Sequence, residues 1–184
     1  MKETVLELKD VTFYAPFADG IQELVSGFSL EISKGEVRTI KTSGVEETHI
    51  LYLIAAGEED PTVGAVRRPG GSIGKIRRGA AAFSELLVYE NIALAFGGRY
   101  RKGTAREYGF NPRTKTSELS GADRKRLMFL QRYLQDPVYI AAEEPFEGLD
   151  EDERRQVMSF IVEMTEKTGI PVLIIETIGT EDRR

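Results

Sequence analysis

Val138-Tyr139-Ile140-Ala141-Ala142 and Pro171-Val172-Leu173-Ile174-Ile175 bracket residues 151–168, in which Val157, Phe160, Ile161 and Met164 recur at helical spacing before Gly169. Each bracketing run is apolar without alternation, which suits a strand buried on both faces of a parallel sheet. Strand, helix and strand with short links therefore predict a parallel α/β core, because parallel neighbours need a crossover connection. Immediately upstream, Ser120-Gly121-Ala122-Asp123 has the form of a capping box with Asp at its third helical position. The helix it opens carries Leu127, Leu130 and Leu134 on one face and stops at Asp136-Pro137.

Toward the N-terminus the pattern changes. Val5, Leu6 and Leu8 precede Asp10, Val11-Thr12-Phe13-Tyr14 runs into Ala15-Pro16, and Phe28, Leu30 and Ile32 alternate with polar residues. With Lys34-Gly35 as a turn and residues 36–40 as the next strand, the first forty residues predict short strands in an antiparallel layer. Lys41-Thr42-Ser43-Gly44-Val45 reads as a loop, followed from Thr48 by an apolar helix with Gly57 at its C-terminal stop and Pro61 beyond. Within residues 79–118 the pattern predicts a helix from Glu90 to Phe96, then a basic stretch through Gly97-Gly98-Arg99-Tyr100-Arg101-Lys102.

The chain's 184 residues accommodate one α/β domain, and its 41% hydrophobic and 30% charged residues are those of an ordinary globular protein. Without Cys, disulfides, thiolate catalysis and Cys-ligated metals are excluded; one His, His49, excludes His-cluster metal sites. A net charge of −5 argues against non-specific nucleic-acid binding. No apolar run reaches membrane-spanning length and the first residues lack a secretory signal, so a cytoplasmic location is expected, with any membrane contact made through another protein.

The order of motifs resembles the ATP-binding cassette (ABC) ATPase family, over nearly the whole of residues 1–184 as a single domain. Val11-Thr12-Phe13-Tyr14 is similar to the opening strand with its adenine-stacking aromatic, and Lys34-Gly35-Glu36 to the turn before the phosphate-loop strand. Val88-Tyr89-Glu90-Asn91-Ile92 is similar to a segment of the helical insertion, here residues 79–118 in reduced form. Leu119-Ser120-Gly121 resembles the start of the signature motif, and Glu144-Pro145 with Gly148-Leu149-Asp150 resembles the Walker B end and D-loop. The resemblance implies a P-loop NTPase-like fold with a parallel sheet, an antiparallel β layer and a helical insertion.

It also implies a nucleotide site at Tyr14, Ser43, Gly44, Thr48 and Glu143, with Glu144 as the general base. The phosphate loop departs from Gly-x-x-x-x-Gly-Lys-[Ser/Thr]: Lys41 and Glu46 stand at the glycines, Glu47 stands at the lysine, and only Gly44 and Thr48 keep the pattern. Glu143 stands at the Mg²⁺-holding aspartate, Arg78 at the Q-loop glutamine and Thr177 at the switch histidine. Ala122 and Asp123 follow the signature start, where they would crowd a phosphate and bring negative charge toward it. Seven residues after Thr177 imply that C-terminal elements of the family are missing.

From these departures we expect a degenerate, non-hydrolysing subunit with a vestigial Glu144, no metal and no cofactor. Its partners would be a second ABC ATPase, as a homo- or heterodimer, and a transmembrane permease. The alternatives are a weak ATPase binding ATP/Mg with a site completed by a partner, and a module whose Glu46, Glu47, Glu143 and Glu144 converge on a divalent cation or a cationic ligand. The basic runs at Arg67-Arg68, Arg77-Arg78 and 99–102 are expected either as solvated loops or as a surface facing acidic groups of a partner.

Overall fold

The computed structural model describes residues 3–99 and 101–178. Two sheets meet in it. The first is antiparallel, in the order β2-β1-β4, from β1 (Thr4–Phe17), β2 (Gly20–Ser33) and β4 (Val63–Arg67). The second is wholly parallel, in the order β3-β7-β6-β5, from β3 (Val37–Thr42), β5 (Ile73–Ile76), β6 (Tyr139–Glu143) and β7 (Val172–Thr177). The fold class is the expected one, an α/β core with a parallel sheet and an antiparallel β layer.

The apolar runs of β6 and β7 divide by parity, as strand geometry requires. Tyr139, Ala141, Leu173 and Ile175 face a core shared with α1 (Val45–Ala55) and the antiparallel layer. Ile140, Ala142, Val172 and Ile174 face the opposite core, built with α2 (Val88–Ala95), α4 (Gly121–Tyr133) and α5 (Glu151–Thr168). The Tyr139 hydroxyl donates to the Ala55 carbonyl at 2.5 Å, and burial pushes its pKa up to about 12.

Several sequence expectations are corrected. β1 is one strand, not two broken at Asp10 and Pro16. Asp10 adopts a φ of 49° at a bulge, and it sits against Gly64, where a Cβ would approach its carbonyl oxygen to 2.4 Å. β4 pairs β1 only between Glu7 and Thr12, so beyond that point Pro16's missing donor has no partner to disappoint. The strand after Lys34-Gly35 leaves the antiparallel layer for the parallel sheet. It is steered there by bonds from the Gly35 N–H to the Gly169 carbonyl and from the Val172 N–H to the Glu36 carbonyl.

Segment 79–118 holds α2, one short helical turn α3 (Thr104–Glu107) and a 3-10 turn at Thr116–Glu118. Buried Asn91 ties it together, exchanging hydrogen bonds with the Phe83 backbone and donating to the Thr116 hydroxyl; its own carbonyl accepts from Gln131 of α4. Of the basic stretch expected at 99–102, Tyr100 lies outside the described residues.

Candidate nucleotide site

In a parallel sheet the ligand crevice lies beyond the carboxyl ends of the strands. Here β3, β6 and β7 deliver Thr42, Glu143 with Glu144, and Thr177 to that edge. The link from β3 to α1 is shorter than its sequence suggests. β3 runs through Thr42 and α1 begins at Val45, leaving Ser43 and Gly44 as the connection. Gly44 is the N-cap, extended at φ −152°, and no side chain caps the helix there.

The expected site residues come together in part, and their polar groups bond to one another. The Glu47 carboxylate accepts from the Ser43 backbone N–H at 2.9 Å and from the Ser43 hydroxyl at 2.7 Å. Thr48 is 1% exposed. Its hydroxyl reaches the Gly44 carbonyl at 2.9 Å, shares a 2.9 Å hydrogen bond with the Thr177 hydroxyl and a very short one with the Thr42 hydroxyl. Thr42 was missed from sequence: its role is set by the strand register that puts it opposite Thr177.

Glu143 is 4% exposed, and both its oxygens are engaged: one with His49 Nδ1 at 2.8 Å, the other accepting the Arg78 N–H at 3.2 Å. Glu144 sits at the strand end with a φ of 45° and accepts the Thr177 N–H at 2.7 Å. The Arg78 guanidinium lies 3.4 Å from Glu147. The convergence of Glu46, Glu47, Glu143 and Glu144 on a cation is therefore corrected. The carboxylates of Glu47, Glu143 and Glu144 are drawn to separate donors, and among the described residues no group of three or more His, Cys, Asp or Glu is arranged to hold a metal ion.

Tyr14 lies outside this cluster of bonds. It stands in the second half of β1 opposite Glu23, 42% exposed, and Glu23's hydrogen bond and charge raise its pKa. At the signature-like segment, Leu119 packs against the core and Ser120 caps α4, accepting the Asp123 N–H at 3.0 Å. The reciprocal half of the expected capping box is absent, because the Asp123 carboxylate pairs with Arg126 at 2.8 Å instead. The expectation that Ala122 crowds the approach of a phosphate is also corrected: its methyl is buried in the core at 1% exposure. The Ala122 N–H donates to Glu153 at 3.3 Å, and a Cβ on Gly121 would lie 2.8 Å from the same carboxylate.

A strand-to-helix link at the edge of a parallel sheet is backed by an antiparallel layer and followed by a serine-capped helix, an α/β arrangement of the class expected. No family model matches the chain. It is 28% identical to the lipoprotein-releasing system ATP-binding protein of Alcanivorax borkumensis, over 97% of this chain and 89% of that protein. It is 27% identical to a sulfate/thiosulfate import ATP-binding protein of Xylella fastidiosa, over 82% of this chain, and spans 51% of that relative's length. Among solved structures, cbiO1 of Clostridium perfringens, part of an ABC transporter complex, superposes with a TM-score of 0.75 at 20% identity, over 96% of this chain and 80% of that one. A dimeric ATP-binding cassette in a post-hydrolysis state with ADP and Pi superposes with a TM-score of 0.70 at 18% identity, over 94% and 88%. These likenesses agree: the curated relatives are ATP-binding proteins of a release and an import system, and the solved structures show that the chain has the fold of an ABC transporter ATP-binding cassette.

Proposed function

We propose that this cassette serves an ABC transporter as a non-hydrolysing subunit, acting through protein contact as a structural or regulatory partner. The observation that carries it is the Glu47 carboxylate on the Ser43 N–H and hydroxyl. A phosphate loop works by turning backbone N–H groups and a cation toward an anion. Here an anion that belongs to the protein already accepts from the loop, where the family resemblance calls for a lysine.

The residues do not fit Mg-ATP at the other positions either. Thr48, the hydroxyl expected on Mg²⁺, is buried among threonine hydroxyls and a carbonyl, and both Glu143 oxygens are in use. Glu144 keeps the identity of a general base, and one of its carboxylate oxygens accepts the Thr177 backbone N–H. We therefore assign no hydrolytic step to the chain. No helix among the described residues is long and apolar enough to cross a membrane, so attachment to a permease would be by docking, as a homo- or heterodimer with a second cassette on the cytoplasmic face.

Phosphate release tests this. The purified chain with Mg-ATP is expected to release no more phosphate than its Glu144→Gln variant. Release that disappears in Glu144→Gln would overturn the proposal in favour of a weak ATPase.

A further inference from the structure

Some of the basic residues that stand out in the sequence have partners in the fold. Arg77 and Lys75 both pair with Glu58, Arg78 with Glu147, and the Arg68 guanidinium donates to the Ile54 carbonyl. A different arrangement holds around α3. Tyr89, Lys102, Gly103, Arg106, Pro112 and Arg113 line an open cleft of about 490 Å³. Among the described residues, Lys102, Arg106 and Arg113 make no ion pair.

The carboxylates nearest in sequence have partners other than these three cations, Glu90 in part through the cleft's own Tyr89. Glu90 accepts from the Leu87 N–H and the Tyr89 hydroxyl, Glu107 pairs with Lys167, and Glu85 pairs with Lys115. The floor is fixed by backbone bonds, from the Tyr89 N–H to the Pro112 carbonyl and the Val88 N–H to the Thr114 carbonyl. In a chain of net charge −5, three uncompensated cations thus line one concavity on a firm base with an aromatic ring and a proline.

We propose that this cleft binds an acidic peptide segment of a partner protein. Three separate cations lining one cleft complement an occupant that carries several carboxylates along its chain. The two planar guanidinium groups can each fork onto a carboxylate, and Tyr89 with Pro112 offers apolar surface to the segment's backbone and methylenes. The site is independent of the phosphate loop: it lies wholly on segment 79–118 and involves none of the residues at the ends of β3, β6 and β7.

Fluorescence anisotropy of the full chain with a short labelled peptide alternating Glu and Ser tests it. Binding is expected that weakens with salt and that drops roughly tenfold or more in the Arg106→Glu/Arg113→Glu variant. A Lys9→Glu/Arg67→Glu variant, carrying the same change of net charge elsewhere, should bind as the parent does. The truncation pair Lys102→Ala/Arg113→Ala, checked for native circular dichroism, guards against misfolding of the reversal and should also lose affinity. Absence of binding, equal weakening in the Lys9/Arg67 control, or displacement of the peptide by lower concentrations of inorganic phosphate than of unlabelled peptide would each overturn the proposal.

Discussion

Glu47 alters the loop in two ways: it supplies a negative charge, and it occupies the donors a phosphate would use. At about 4 Å and an effective dielectric near 20, one unit charge pair is worth roughly 4 kcal/mol, so a carboxylate in place of an ammonium is a multi-kcal/mol change against a triphosphate. Lys41→Gly, Glu46→Gly and Glu47→Lys together raise the local charge by two and release the Ser43 N–H. The triple variant should bind Mg-ATP at least tenfold more tightly than the parent. It should also melt at a lower temperature, since glycine in the first turn of α1 and loss of the Ser43 bonds each cost about 1 kcal/mol. Parallel titrations and thermal melts check both outcomes; unchanged affinity in a folded triple variant would move the cause beyond the loop.

At the scale of elements, the start of α4 is a tightly specified point. Ser120 caps the helix, while Glu153, itself in a capping box with Asp150, closes over Gly121 and Ala122. Gly121→Ala would push a methyl to 2.8 Å from the Glu153 carboxylate and 3.0 Å from Leu149. It should destabilise the protein by about 1–3 kcal/mol, read as a lower urea midpoint with an unchanged slope. A variant as stable as the parent would mean that α4 and α5 shift apart freely at their ends.

Much of this was legible beforehand, because apolar runs, caps and stops are local. The strands at 138–142 and 172–175, the helix at 151–168 and the Ser120 cap all follow from residue type and spacing. The continuity of β1 was not, since it depends on β4 leaving Pro16 unpaired and on Gly64 admitting Asp10, both distant in sequence. Where the candidate residues fall on strand ends and the start of α1 was legible; their bonding was not. Glu47, Glu143 and Thr48 stand where the motif order puts them, yet nothing in their spacing announces that Glu47 turns back to Ser43 or that His49 meets Glu143.

For the molecule as a whole, the scaffold and the site diverge. The central strands β6 and β7 are buried on both faces, and polar groups at the carboxyl ends of the parallel strands bond to one another. On the function proposed above, the chain keeps the cassette fold and does without the nucleotide. Calorimetric titration of the unmodified chain with Mg-ATP at physiological salt tests this most directly. The expected result is no binding tighter than about 1 mM, equivalent to roughly −4 kcal/mol; a micromolar dissociation constant would contradict it.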